Sequence, residues 1–228
     1  MGEAARFFIW KWVNNMNKTK KITTTALLCA LAYIATFVGR LPISTVAFLK
    51  YDPKDVIVVM GGFIFGPLTA FVISAVVSII EMVTISETNI IGCIMNIVST
   101  VSFAVTASVI YERSRTIKGA VYGLVTAMFA MTVTMVVWNY LLTPFFYGMP
   151  RSEVAKMLLP IFVPFNLIKS SLNTALTLLL YKPFVKILRS AGLIEKRESI
   201  SGGVINKGVI ILAVFLILMA VGAVVILN

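Results

Sequence analysis

The chain has 228 residues, 59% of them hydrophobic and 13% charged. A soluble domain carries about 25% charged residues, and the mean hydropathy of +0.98 agrees, so an ordinary water-soluble fold is excluded and the bilayer becomes the solvent. The net charge of +11 would raise nucleic-acid binding in a soluble protein, but basic residues collect in the cytoplasmic loops of membrane proteins, and that reading leaves no nucleic-acid partner.

The first segment, residues 1–19, reads as a leader. It has no apolar region long enough and no small-residue cleavage site for a secretory signal. Phe7, Phe8, Ile9, Trp10 and Trp12, mixed with Arg6 and Lys11, suggest a short interfacial helix, with a disordered leader as the alternative. A first span follows at 22–38, with Lys18, Lys20 and Lys21 before it and Arg40 after it. It carries Ala26 and Ala30, small residues four apart that let a partner helix approach closely. Residues 40–54 form a loop that holds Pro42 and Pro53, charged side chains and an apolar stretch, Val46-Ala47-Phe48-Leu49.

The next apolar tract, 56–85, would make about 45 Å of helix against a hydrocarbon core of about 30 Å. Gly66-Pro67 predicts a break inside it, giving a short second span at 56–65 and a third at 67–85. A fourth span is expected at 91–111 and a fifth at 119–142. A polar loop at 143–157 precedes a sixth span at 160–181. A basic segment, 182–207, leads to an apolar run at 208–227 that is long enough for a seventh. The fold class is therefore all-α: a polytopic helical membrane protein, six helices plus a seventh. Its divisions are the leader 1–19, a six-span unit 20–190, and a basic linker with an additional helix, 191–228.

Charge tests this count. With the N-terminus inside and seven spans, fourteen of the 20 Lys and Arg residues lie inside and five outside, and Lys169 falls within a span. Reading 56–85 as one span would weaken the bias. The loops 40–54 and 143–157 then share the outer face. Cys29 and Cys93 lie toward opposite faces and read as buried free thiols. The chain has no histidine, which removes Ser-His and Cys-His dyads and histidine proton relays. It has no P-loop and no nucleophile–base pair, so an enzyme is not expected. No metal ligand set stands out.

Polar groups inside spans are few, because a charge at mid-membrane costs about 2.5–3.5 kcal/mol on insertion scales. They are Glu81, Asn96, Asn139, Asn166, Lys169 and Asn173. Asn166, Lys169 and Asn173 share one helix face. Glu81 and Asn139 each lie about one turn from the outer end of their spans, at the level of Asn166 and Lys169. The pattern predicts a polar pocket opening outward, suited to a ligand rich in hydroxyl and imide groups. The structural alternative is a Glu81–Lys169 ion pair with asparagines as interhelical glue.

Four stretches carry a family resemblance: Thr25-Ala26-Leu27-Leu28-Cys29-Ala30-Leu31-Ala32, Phe48-Leu49-Lys50-Tyr51-Asp52-Pro53-Lys54-Asp55-Val56, Gly66-Pro67 and Asn166-Leu167-Ile168-Lys169. Over residues 20–190 the chain resembles the riboflavin-specific S component of energy-coupling factor (ECF) vitamin transporters. The resemblance implies a multi-pass plasma-membrane protein with six spans. It implies a first outer loop that closes over riboflavin or a related flavin, which would be cargo; no cofactor is implied. It implies that Asn139, Asn166 and Lys169 hydrogen-bond the flavin and that Ala47, Phe48 and Leu49 contact it, with Glu81 as a further carry-over. Ala26 and Ala30 would face a transmembrane coupling subunit driven by two ATPase subunits. The rival expectation is a stand-alone secondary transporter, with Glu81 as a proton or ion site. The 208–227 run and the aromatic leader depart from the six-span pattern.

Overall fold

The computed structural model of the chain describes residues 18–42, 49–86, 88–193 and 207–227. The interfacial helix expected for the leader lies outside them. Helix α1 spans Lys18–Gly39 and ends at a small hairpin, in which β1 (Leu41–Pro42) pairs antiparallel with β2 (Lys50–Tyr51). The pairing opposes Leu41 to Tyr51 and Pro42 to Lys50. Helix α2 then runs Lys54–Phe65 and α3 runs Pro67–Thr84.

The break expected at Gly66-Pro67 is present. Gly66 has φ +96°, a backbone region that favours glycine, and Pro67 opens α3, where its missing N–H costs nothing. At 12 residues, or about 18 Å, α2 is too short to cross a bilayer. It survives because it is central: every residue except Ile57 is buried, against α1, α3, α4 and α7. Gly62 permits the closest of these approaches, since a Cβ there would overlap the Ser108 hydroxyl of α4.

Helix α4 spans Asn89–Ser114 and α5 spans Ile117–Tyr147. The fifth helix is thus five residues longer than its expected limit at 142, with Pro144 inside it. Membrane helices tolerate proline where neighbouring groups absorb the lost backbone bond. The expected polar loop 143–157 shrinks accordingly. Gly148 caps α5 at φ +64°, and α6 begins at Arg151 and runs to Met157. One π-turn, Leu158–Phe162, joins α6 to α7, Val163–Ser190. Pro160 lies inside this turn and Pro164 just after it; neither has an N–H to donate, so a regular i→i−4 ladder cannot continue through it.

The last helix, α8, spans Lys207–Leu227 and packs along α7, burying Val209, Ala213 and Ala220. Among the described residues, six helical runs are long and apolar enough to cross a membrane: α1, α3, α4, α5, the joined α6–α7, and α8. With the short α2, this is a polytopic helical membrane protein. Large apolar side chains such as Phe37, Leu68, Val83, Val133 and Phe215 point outward, as a lipid-facing surface requires.

Candidate ligand-binding site

The hairpin, α4, α5 and α7 enclose a polar cavity at the hairpin end of the bundle. Asn96 and Ser99 of α4, Asn139 and Thr143 of α5, and Asn166 and Lys169 of α7 supply its polar wall. Ile91, Met95, Met135 and Phe165 supply apolar surface between them. Leu49, Lys50, Asp52 and Arg40 approach from the hairpin, and Phe146 and Tyr147 from the end of α5.

The two asparagines are pre-set by their own helices. Asn166 Nδ2 donates to the Phe162 carbonyl at 2.8 Å, and Asn139 Nδ2 donates to the Met135 carbonyl at 2.7 Å. Thr143 Oγ1 donates to Asn139 Oδ1 at 3.4 Å. Each amide therefore has a fixed orientation and a second N–H to offer. Both residues are buried, so an unmet group there is costly. Asn139 sits about two turns from the end of α5, deeper than the expected single turn, because that helix continues to Tyr147.

Leu49 is buried in a small apolar cluster with Val154, Phe162 and Phe165. This cluster docks the hairpin against α6 and the π-turn. The two segments expected on one face, 40–54 and 143–157, do meet here. Ala47 and Phe48 lie outside the described residues.

Beside the cavity lies a charge network. Lys54 donates to Glu81 Oε2 at 2.6 Å, with both side chains fully buried. Arg40 Nη2 stands 3.7 Å from the same oxygen, and Asn96 Nδ2 donates to it at 3.3 Å. Arg40 Nε donates to Asp52 Oδ1 at 2.7 Å. Lys169 Nζ lies 3.8 Å from Asp52 Oδ2 and 3.7 Å from Asp55 Oδ2. Three cations thus balance three carboxylates, which is how buried charge is tolerated. Burial alone would raise the Asp52 carboxyl, but Lys169, Lys54 and Arg40 together hold it below its ordinary value. Burial, then the negative charges of Asp55 and Asp52, push the Tyr51 phenol well up. It therefore stays protonated and donates to Asn173 Oδ1 at 2.9 Å.

The Glu81–Lys169 pair weighed from the sequence does not form. The hairpin turns Lys54 inward to take Glu81, and Lys169 faces the two aspartates instead. Glu81 does not line the cavity; Asn96 stands between. Asp52, Asp55 and Lys54 escaped the sequence reading as site residues because they sit in a loop and a helix start, where charge is ordinary. The Asp-Pro-Lys-Asp run before an apolar helix was the available signal. Ser99 and Thr143 carried no signal, since small hydroxyls are common in spans. On α1, Ala26 and Ala30 are exposed. Among the described residues no cluster of three or more His, Cys, Asp or Glu is placed to hold a metal.

Comparison with known proteins agrees with this architecture. Residues 20–181 match the family model of the ECF transporter, substrate-specific component. A riboflavin transporter RibU of Staphylococcus aureus (strain TCH60) is 30% identical over 182 residues, which is 77% of this chain and 95% of that protein. A riboflavin transporter FmnP of Bacillus subtilis (strain 168) is 24% identical over 186 residues, 76% of this chain and 98% of that one. A solved structure of the S component of a bacterial ECF transporter superposes with a TM-score of 0.66 at 28% identity, covering 76% of this chain and 99% of its own. The chain accordingly belongs to the substrate-specific components of ECF transporters, and is a membrane transport protein and not an enzyme.

Proposed function

We propose that this chain captures riboflavin, or a close flavin, in the cavity at the hairpin end and passes it inward with partner subunits. The observation that carries the reading is the pairing of two orientation-locked asparagine amides and one lysine ammonium with a methionine- and phenylalanine-lined wall. A flavin presents the complement: an imide edge with one donor between two carbonyl acceptors, on a flat apolar ring. Asn139, Asn166 and Lys169 meet the polar edge, and Leu49 closes over the ring from the hairpin. Glu81 acts indirectly, by holding Asn96 and Arg40. Riboflavin is also what two relatives are named for transporting.

The hairpin end faces outward and the N-terminus is cytoplasmic, by the distribution of basic residues. Residues 20–190 form the binding unit, and 191–228 add a linker and a membrane helix. The exposed Ala26 and Ala30 face a transmembrane coupling subunit, which two ATPase subunits drive. A self-sufficient ion-coupled transporter is less well supported, because Glu81 is engaged by Lys54 at 2.6 Å and does not line the cavity.

Titration of the purified protein by flavin fluorescence quenching tests the reading. Asn166→Ala or Asn139→Ala leaves a polar edge of the ligand unmet, at about 1–3 kcal/mol. Each should weaken riboflavin binding by about ten- to a hundredfold. Wild-type affinity in both variants would refute the site.

A further inference from the structure

Lys169 turns its ammonium toward the cavity, yet no carboxylate has captured it. Its Nζ lies 3.7 Å from Asp55 Oδ2, 3.8 Å from Asp52 Oδ2 and 3.5 Å from Ser99 Oγ. An ammonium–carboxylate hydrogen bond ordinarily closes to about 2.7–2.9 Å. Other donors hold each carboxylate in place. Asp55 Oδ1 accepts from the Thr100 hydroxyl at 2.7 Å, and Asp55 Oδ2 accepts from Asn173 Nδ2 at 2.9 Å. The Asn173 amide cannot turn away, because its own oxygen accepts from Tyr51 at 2.9 Å. Asp52 is drawn the other way by Arg40 at 2.7 Å. Asp55, Thr100 and Asn173 are all fully buried, and none of them lines the cavity.

We infer that Asp55, restrained by Thr100 and Asn173, is a positioning residue that balances the charge of Lys169 while being held too far away to consume its N–H groups. A buried ammonium needs a nearby counter-charge. A carboxylate free to close on it would take the donor that the ligand requires. The two neutral donors resolve this conflict: they anchor both Asp55 oxygens and so hold the carboxylate back, while the Coulomb attraction, which falls only as the inverse of distance, remains. The donor capacity of Lys169 is thereby reserved for the ligand. This rests on the proposed contact between Lys169 and the flavin.

The test measures riboflavin affinity of the purified full chain by fluorescence quenching in Thr100→Val, Thr100→Ser, Lys169→Met and the double variant Thr100→Val/Lys169→Met. Thr100→Val removes one anchor and lets the Asp55 carboxylate shift toward Lys169, so binding should weaken about tenfold. Thr100→Ser, which keeps the hydroxyl, should restore it. In the Lys169→Met background, Thr100→Val should add no further loss. A full loss in that background would mean that Thr100 acts through packing, and would overturn the inference alone, as would wild-type affinity in Thr100→Val. Wild-type affinity in Lys169→Met would overturn the flavin–lysine contact and the inference with it. If Thr100→Val does not fold, Asn173→Leu removes the other restraint and must show the same loss and the same dependence on Lys169.

Discussion

Removing the Lys54 ammonium strands the Glu81 carboxylate inside the bundle. Both side chains are fully buried and their charged atoms are 2.6 Å apart. Breaking such a pair from one side costs about 3–5 kcal/mol. Arg40 at 3.7 Å and Asn96 at 3.3 Å remain to compensate Glu81, so Lys54→Met should fall at the low end, about 3 kcal/mol. For a chain of this size that is about 6–12 °C in melting temperature. The double variant Lys54→Met/Glu81→Met replaces the pair with apolar volume and should recover most of the loss, because a buried pair gains little over well-packed apolar groups. Thermal melting in detergent, with riboflavin titration of the folded fraction, reads both effects. The double variant should keep riboflavin affinity within about tenfold of wild type. Two results would refute the reasoning: a Lys54→Met protein that melts with wild type, or a double variant that melts no higher than the single. Recovered stability with lost binding would instead show that the ligand depends on the positions of Asn96 and Arg40 that Glu81 holds.

Other consequences are as direct. Ala26→Trp or Ala30→Trp should block co-purification with the coupling subunit, since helix backbones could no longer approach, while riboflavin affinity stays unchanged; intact complexes from both variants would make this face ordinary lipid-exposed surface. Asp52 is held below its ordinary value by Lys169, Lys54 and Arg40, so its contribution to stability is present above the unfolded value of about 3.9 and is lost as pH falls through the lower folded one. Melting temperature should therefore drop on acidification below about pH 4, and Asp52→Asn should flatten that part of the curve; an unchanged acid limb would remove Asp52 from the network's energetics.

Much of this protein is legible in its sequence because lipid is a strict solvent. A backbone in hydrocarbon must satisfy itself, so apolar segments become helices, and their number follows from length and charge bias. Gly66-Pro67 marks a break at the residues where it occurs, since only glycine takes that φ readily and proline suits the next helix start. The cost of polar groups in spans is also why Asn139, Asn166 and Lys169 stood out. Helix limits were less legible where proline was involved. Pro144 lies inside α5, and Pro160 and Pro164 sit at the π-turn, because local breakers are overridden when neighbours absorb the backbone groups.

Only the tertiary structure decided which charges meet. Sequence depth puts Glu81 and Lys169 at one level, but partner choice depends on how each helix is rotated about its axis and on where the hairpin returns the chain. That return brings Asp52, Lys54 and Asp55 beside the site. Lys54 takes Glu81, and Lys169 is left between two restrained aspartates, facing the cavity. The local pattern of residues determined which polar groups lie within the apolar helices; the packing of four separate elements determined which of those groups are spent on one another and which remain for a ligand.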